Sequence, residues 1–491
     1  MNHSSAPGFR VVSYKSGASE IVLHPAERAM RNAGVSIVIG PNGSGKSRIL
    51  ASIVDEFSHL SDLRSHRKVP RGGSAKGRLG STICTVDYRL GDDYCLVERD
   101  GSALKVTVNG ILTQLESAPF PNKAFAVAHL PVDRYRFSKS DDDKFYVYMG
   151  LRQATNLTTT GALEVKVTLS LFRSLEEQVF RRVASWLALM GISPVATVEI
   201  EIATDGLLEA KTSDDFLKVA TEIAMKRRRS LPGVKDFQQE FAEELDLSWR
   251  LFKRLSGASI LPGKRKLTLG VKLTSALLDI DHSAEFWERS IEAARSLRLF
   301  KELRLYFNKD NRSTRFSDFS SGEQQILGTM TRLFAALVPN SLVVIDEPEV
   351  SLHPYWQKQY VATLMETLAD FPSTHVLIAT HSHFLVGDLH SDSSSLLIAS
   401  AGKSPTFTPF EGDVYGRSPE NILYRAFNVG TAGNFYIERD LATALQMVSG
   451  VEVTVKSELA EILTRLRKVS RPDNPALTTI ITEVERHLES N

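Results

Sequence analysis

Short apolar runs separated by glycine and polar turns predict the strands in the first part of the chain. Residues 9–25 predict two strands around a glycine-containing turn. Residues 34–40 predict a buried strand that leads into a glycine-rich loop. Residues 81–110 form three short segments with turns between them, which predicts an antiparallel sheet. Residues 123–137 predict one further strand and its exit loop.

Three wholly apolar strands are predicted near the other end of the chain, at 341–350, 374–382 and 394–402. Helical segments lie between them, and this alternation is typical of a parallel sheet that is covered on both faces. We therefore predict the α/β class.

Helical patterning dominates the middle of the chain and its last sixty or so residues. One helix is predicted at 46–60, directly after the glycine-rich loop, and another covers 171–191. Further helices are predicted at 214–230, 235–257 and 283–299, with strands near 196–203 and 266–274. No heptad pattern persists, so no long coiled-coil arm is expected. We predict four parts: 1–170, a mainly helical insertion 171–300, 301–430, and a helical tail 431–491.

Composition restricts the class of protein without naming a partner. The 491 residues are 42% hydrophobic, and 59 basic against 58 acidic residues give a net charge of +1. Whole-chain charge therefore does not favour nucleic acid. Cys84 and Cys95 lack C-x-x-C spacing, which favours reduced apolar fillers in a cytoplasmic protein. No signal peptide and no bilayer-spanning run is predicted.

The sequence GPNGSGKS at 40–47 fits the phosphate-binding loop G-x-x-x-x-G-K-[ST] between a strand and a helix. Its glycines let backbone N–H groups face phosphate oxygens, and the helix N-terminus adds partial positive charge. Lys46 supplies charge at the β- and γ-phosphates, and Ser47 offers its hydroxyl to Mg²⁺. The predicted loop residues are Asn42, Gly43, Ser44, Gly45, Lys46 and Ser47.

Two acids end the apolar strand LVVIDEPEVSLHP. Asp346 can hold Mg²⁺, directly or through water, and Glu347 can polarise an attacking water. The competing interpretation is a strand end that carries two solvated acids. His381 follows the next strand, where it can reach a γ-phosphate. The alternatives for that histidine are a core histidine or a metal pair with His383, although no third metal ligand is evident.

This set of motifs resembles the ATP-binding-cassette (ABC) head of the branch that contains SMC, RecF and OLD-type ATPases. The resemblance implies a parallel sheet with helices on both faces, an antiparallel β subdomain, ATP and Mg²⁺ as ligands, and ATP hydrolysis. In that family two heads sandwich the nucleotide, and one head supplies a Ser-Gly signature at a helix N-terminus. FSSGEQQ resembles that signature, with Ser320, Ser321, Gly322 and Glu323 in its positions. A plain Ser-x-x-Glu helix cap is the alternative.

Two features bear on how far the resemblance extends. Ser351, Leu352 and His353 resemble the loop that contacts the other head. The glutamine expected after the strand that follows the P-loop helix is not evident; LPVDRYRF occupies its place, and Gln153 is a candidate.

The chain resembles the PtuA-like anti-phage ATPases, either Septu or retron-associated. The resemblance lies in its small size and in the lack of a predicted arm and of a nuclease motif. FEGDVYG at 410–416 is not followed by a D-x-D, so no Toprim nuclease is predicted. The resemblance implies an ATPase sensor that forms head-to-head dimers and controls a separate HNH or Toprim nuclease. The alternative is a RecF-like DNA-repair ATPase. It would bind DNA or RNA through the basic loop 64–78, with further basic clusters at Lys226–Arg229 and Lys264–Lys266.

Overall fold

The computed structural model describes residues 8–24, 32–65, 83–130, 132–137, 145–150, 160–173, 177–226, 233–255, 266–272, 284–386, 389, 394–402, 404–410, 424, 435–450, 455–470 and 475–490. Contacts divide the chain into two units. The first unit comprises 1–126, 339–349 and 353–491, and the second comprises 127–338 and 350–352.

Among the described residues, strands predominate up to residue 150 and helices beyond it. The strands are β1 (Phe9–Ser16), β2 (Ser19–Val22), β3 (Gly34–Ile39), β4 (Ile83–Leu90), β5 (Asp93–Asp100), β6 (Ala103–Val108), β7 (Ile111–Thr113), β8 (Lys123–Ala128), β9 (Tyr146–Tyr148), β10 (Ile192–Ile202), β11 (Lys266–Lys272), β12 (Phe300–Lys309), β13 (Arg312–Arg315), β14 (Ser341–Asp346), β15 (His375–Thr380), β16 (Ser394–Ser400) and β17 (Thr406–Pro409). The helices are α1 (Lys46–Arg64), α2 (Thr160–Arg173), α3 (Glu177–Leu189), α4 (Gly206–Glu209), α5 (Ser213–Met225), α6 (Val234–Glu240), α7 (Ala242–Leu255), α8 (Ala284–Ser296), α9 (Ser321–Ala336), α10 (Pro354–Leu368), α11 (Phe435–Val448), α12 (Lys456–Val469) and α13 (Pro475–Ser490). Short 3₁₀ turns lie at Phe316–Asp318 and His383–Val386.

A mostly parallel sheet forms the centre of the first unit, with strands in the order β17–β16–β3–β15–β14–β8. β3 pairs in parallel with β15 and β16, and β15 pairs in parallel with β14, while β17 is an antiparallel edge strand. β3, β14 and β15 are buried at every residue, which explains their unbroken apolar sequences. The predicted α/β class is confirmed. Because β3, β14 and β15 run in one direction, their carboxyl ends share one edge.

A second, antiparallel sheet of the first unit has the order β2–β1–β4–β5–β6–β7. Its strands β4, β5 and β6 correspond to the antiparallel segments predicted at 81–110. Along β5, burial alternates because one face of the sheet covers the core. The buried Arg99 of β5 donates two 2.7 Å hydrogen bonds to Glu56 of α1, which ties this sheet to the helix after the glycine-rich loop.

The second unit combines helices with a four-stranded antiparallel sheet of order β11–β10–β12–β13. The predicted helix at 171–191 corresponds, in the described residues, to the end of α2 and to α3. The predicted helix at 235–257 is two helices, α6 and α7, because Phe241 leaves helical geometry at φ −112°. α9 packs against α2 and α3, with the Trp186 and Phe334 rings stacked 6.2 Å apart.

The last three helices of the first unit pack against one another. α11, α12 and α13 bury a shared apolar cluster that includes Ala444, Leu459, Leu466 and Val484. Arg465 of α12 donates a 2.8 Å hydrogen bond to Asp440 of α11, so a partly buried ion pair joins two of these helices. Among the described residues, no helix is both long enough and apolar enough to cross a bilayer.

Candidate functional site

The glycine-rich loop joins β3 to α1 in the first unit. Gly43 and Gly45 have φ values of +79° and +88°, a region that side chains rarely adopt. A side chain on Gly43 would meet no atom within 4 Å, so the loop leaves open space there. Ser44 is fully buried, and its hydroxyl has no hydrogen-bond partner among the described residues. Asn42 is exposed.

Lys46 begins α1 and is almost completely buried, with 4% exposure. Its Nζ donates to the carbonyl oxygens of Gly40 at 2.8 Å and Pro41 at 3.1 Å. Burial lowers the pKa of Lys46, while the charges of Glu347, Glu349 and Asp346 oppose that shift. The ammonium group is thus held at the loop by backbone oxygens, in a negative field.

Ser47 and Asp346 lie side by side, although 299 positions separate them in sequence. Ser47 Oγ donates to Asp346 Oδ1 at 2.8 Å. A hydroxyl and a carboxylate oxygen at this separation suit adjacent positions around Mg²⁺, which takes oxygen ligands at about 2.0–2.1 Å in octahedral geometry. The donor set therefore fits the expected cation.

Glu347 follows β14 in an unusual backbone conformation. Its φ is +52°, which is uncommon for a residue with a side chain, and its N–H donates to Ala379 O at 2.8 Å. The residue is 5% exposed. The bond to β15 fixes the peptide while the left-handed turn redirects the side chain.

His381 stands just beyond β15, and its Nε2 lies 2.5 Å from Glu347 Oε2. Hydrogen bonding to Glu347 raises the pKa of His381, although partial burial acts in the opposite direction. The imidazole is 39% exposed, so it remains accessible from outside. The structure brings Lys46, Glu347 and His381 to one edge of the sheet.

Sequence reasoning missed Glu349, which belongs to the same cluster. Its Oε1 accepts the N–H of His381 at 2.7 Å and that of Ser382 at 3.2 Å. Burial raises the pKa of Glu349, and the nearby charge of Glu347 raises it further. Glu349, Glu347 and His381 are the group among the described residues whose ligand atoms are close enough to hold a metal. That group does not include His383, so a His381–His383 pair gains no support.

The Ser-Gly signature lies in the second unit, at the start of α9. Ser320 is the N-cap, with a reciprocal capping box to Glu323. Burial acts to raise the pKa of Glu323, but hydrogen bonds from Lys309 and Ser320 outweigh it and lower that pKa. The alternative predicted from sequence, a Ser-x-x-Glu cap, is thus present. Ser320 and Ser321 nevertheless remain exposed.

Gly322 is required by close backbone packing within the second unit. A Cβ there would lie 2.4 Å from Ser351 O and 3.4 Å from Leu352 Cδ2. Ser351 has a φ of +64° and is exposed, whereas Leu352 is buried. His353, which caps α10 through Nδ1, is exposed in the first unit. Of the three residues predicted to face another head, Leu352 therefore packs on its own chain.

Several sequence predictions lie outside the described residues. These are Gln153, most of the basic loop 64–78, the cluster at 226–229 beyond Lys226, and Lys264 and Arg265. Arg64, the first residue of the loop, donates to Ala118 O at 2.9 Å and lies over the Phe120 ring, so it supports local packing.

His129, directly after β8, is fully buried, and its two ring nitrogens have no hydrogen-bond partner among the described residues. Burial lowers the pKa of His129 to about 3.

One family model matches part of the chain. Residues 201–387 match the family described as "AAA domain, putative AbiEii toxin, Type IV TA system". The match includes the signature, Asp346, Glu347 and His381, and the P-loop precedes it. Over residues 201–387, the chain is therefore similar to an AAA-domain family.

One curated relative shares a short segment with this chain. Protein ea59 of Escherichia phage lambda is 44% identical over 63 residues, which is 13% of this chain and 12% of that protein. The chain thus matches about an eighth of the relative's length.

Solved SMC heads align with about four fifths of the chain at low TM-scores. The SMC head bound to the C-terminal winged-helix domain of ScpA is 13% identical, with a TM-score of 0.33, and covers 82% of this chain and 97% of that chain. The Thermotoga maritima SMC head is 14% identical, with a TM-score of 0.33, and covers 82% and 100%. The Pyrococcus furiosus head with an extended coiled coil is 11% identical, with a TM-score of 0.34, and covers 82% and 96%.

Proposed function

We propose that this protein binds and hydrolyses ATP as the regulatory subunit of an anti-phage defence complex. The observation that carries the ATPase part is the convergence of Lys46, Ser47, Asp346, Glu347 and His381 at one edge of the parallel sheet. The loop, the acids and the histidine follow three different strands. Ser47 nevertheless lies within hydrogen-bond distance of Asp346, and His381 lies equally close to Glu347. Lys46 lies in the electrostatic field of the acids. Such an arrangement suits phosphoryl transfer, where positioning and charge stabilisation supply most of the catalysis.

Each residue has one task in this proposal. Bound Mg²⁺ would supply positive charge at the β- and γ-phosphate oxygens, held by Ser47 and Asp346. Lys46 exchanges its loop carbonyls for phosphate oxygens. Glu347 orients and polarises the attacking water, and its contact with His381 holds its carboxylate at the sheet edge. His381 donates a hydrogen bond toward the γ-phosphate from its exposed position.

A pocket of about 240 Å³ beside the loop suits the nucleoside part of the ligand. It is lined by the β1–β2 turn, by Gly45 and Arg48, and by Pro405 and Phe407. The signature is assigned to a second copy of the chain. The exposed residues Ser320 and Ser321 and the N-terminus of α9 form a surface that can attract an anion and complete the site of the other head.

The defence role rests on two supports of a different kind. The family that matches 201–387 is described as a putative AbiEii toxin of a type IV toxin–antitoxin system. The sequence also resembles PtuA-like ATPases and carries no recognised nuclease motif. We therefore assign the cutting step to a separate HNH or Toprim nuclease, which ATP-bound heads restrain and which is freed when that state is lost. No described residue favours the RecF-like alternative, which stays a prediction from the basic loop.

Steady-state ATP hydrolysis by the full chain tests the ATPase role. Lys46→Ala should abolish nucleotide binding, whereas Glu347→Gln should bind ATP and lose about 10²-fold or more in rate. Glu366→Gln, an exposed acid on α10, serves as the control and should match the wild type. Wild-type turnover by Glu347→Gln would overturn the assignment of the water-orienting group.

Co-purification with the neighbouring gene product tests the defence role. The wild type should retain a nuclease, and ATP depletion should increase cleavage of DNA by the complex. DNA cleavage by the purified chain alone, lost in Lys46→Ala, would contradict a separate effector.

A further inference from the structure

Glu349 has no task in the mechanism above, although it lies two residues after Glu347. Its side chain is only 9% exposed. One oxygen, Oε1, accepts the two successive N–H groups of His381 and Ser382, at 2.7 and 3.2 Å. The other oxygen, Oε2, is buried and has no hydrogen-bond partner among the described residues. A carboxylate is thus buried in order to hold the main chain that carries His381.

The main chain at this point has just left β15, so its N–H groups need new acceptors. Glu349 supplies the acceptor for His381, and Thr380 Oγ1 shares the N–H of Ser382 at 2.9 Å. The Ser382 hydroxyl then donates to Gln357 of α10 at 2.6 Å. These bonds fix the peptide before and after His381 and leave its imidazole free to turn only about its own side-chain bonds.

The resulting imidazole position is specific. His381 Nε2 lies 2.5 Å from Glu347 Oε2 but 4.0 Å from Glu349 Oε1. Glu349 therefore binds the backbone of His381, while Glu347 binds the ring. A metal ion does not explain the cluster as well, because atoms that share a metal at about 2.0–2.2 Å lie about 3 Å or more apart. The 2.5 Å separation between His381 Nε2 and Glu347 Oε2 is that of a direct ion-pair contact.

We propose that Glu349 is a positioning residue, whose Oε1 holds the His381 main chain so that the imidazole meets Glu347 and the transferring phosphoryl group. The inference rests on the proposed ATPase function and assigns this residue no contact with the nucleotide. Placement errors near 1 Å at a catalytic group cost about 10²-fold in rate, so the acceptor position matters for turnover.

Substitutions at Glu349 separate the acceptor from the charge. Glu349→Gln keeps an oxygen at the same reach and should retain turnover within about 3-fold. Glu349→Asp keeps the charge but withdraws the oxygen by one methylene, and Glu349→Leu removes the acceptor. Both should lose about 10-fold or more in kcat. Binding of a fluorescent ATP analogue should stay within about 3-fold in all three variants. Glu366→Asp and Glu366→Leu are the controls for the same changes on an exposed surface.

A double-mutant cycle with His381→Ala identifies the route. If Glu349 acts through His381, then Glu349→Asp and Glu349→Leu should cost little in the His381→Ala background. Equal losses in both backgrounds would overturn the proposal, as would a Gln variant that is slower than the Asp variant. Glu349→Asp keeps the test decisive if Glu349→Leu does not fold. Absence of ATP turnover by the wild type would overturn the proposed function as well, whereas additive losses in an active enzyme would overturn this inference alone.

Discussion

At the scale of single residues, the sheet edge holds charged groups in places where charge is costly. Lys46 is buried, Glu347 adopts a left-handed backbone conformation, and the Glu349 side chain is only 9% exposed. Burial shifts the pKa of Lys46 down and that of Glu349 up, so each shift disfavours the ionised form. A bound triphosphate and cation would supply charges that favour the ionised forms of Lys46 and the carboxylates. Functional sites commonly retain such unfavourable groups.

His375 makes a residue-scale prediction about pH. Val11 N donates to its Nδ1 at 3.0 Å, and its Nε2 lies 3.0 Å from Ser36 Oγ, so the buried ring is neutral with its proton on Nε2. Burial, together with the charges of Arg10 and His24, places the pKa of His375 well below its usual value. Below about pH 6.5, His375 binds a proton in the unfolded chain but not in the folded chain. The free energy of unfolding therefore falls as the pH falls.

Urea unfolding at pH 7.5 and pH 5.5 checks this. On going from pH 7.5 to pH 5.5, the free energy of unfolding of the wild type should fall by about 1 kcal/mol more than that of His375→Gln, because glutamine cannot be protonated. Equal losses in the two proteins would assign the acid sensitivity to other groups.

At the scale of elements, a buried ion pair ties α1 to β5. Arg99 and Glu56 are 6% and 1% exposed and share two 2.7 Å hydrogen bonds. Arg99→Ala should destabilise the fold by about 3–5 kcal/mol, because it leaves the Glu56 carboxylate buried without its partner. The double variant Arg99→Met with Glu56→Leu should recover most of that loss in chemical denaturation. An Arg99→Ala variant as stable as the double variant would show that the unpaired Glu56 carboxylate does not cause the loss.

The tail formed by α11, α12 and α13 is expected to unfold as a local unit. Leu466 is fully buried in its apolar cluster, so Leu466→Ala should cost the tail about 2–5 kcal/mol through the lost contacts and the cavity. Hydrogen exchange should quicken within 435–490, while ATP turnover stays at the wild-type rate. Lys468→Ala, an exposed change on the same helix, is the control. Faster exchange around β3 and β15 would show that the tail supports the central sheet.

At the scale of the whole molecule, we propose that a second copy of the chain completes the ATP site. Glu347→Gln should form dimers when ATP and Mg²⁺ are added, because bound nucleotide would join the loop of one head to the α9 terminus of the other. Sedimentation velocity should show the shift. Ser321→Arg in the Glu347→Gln background should prevent it by placing a long side chain at that exposed terminus. Dimers that form equally well with Ser321→Arg would exclude the signature from the interface.

The sequence by itself determined the elements whose causes are local. An apolar strand, a glycine loop and a helix start are adjacent in the chain, so the positions of Lys46 and Ser47 follow from spacing alone. The unbroken apolar runs of β14 and β15 likewise predicted buried parallel strands with Asp346, Glu347 and His381 at their ends. The Ser320–Glu323 helix cap was also predictable from the sequence, because its two residues are three positions apart.

Only the tertiary structure decided the relationships between distant residues. Ser47 meets Asp346 across 299 positions, and Val11 meets His375 across 364, because strand order brings them together. The sequence shows only that Glu349 is a further acidic residue after Glu347. Its role arises because β14 and β15 are neighbours, so that a side chain following one strand can accept the first free N–H groups after the other. Local pattern determines which residue types stand at a strand end; the packing of strands determines which atoms they touch.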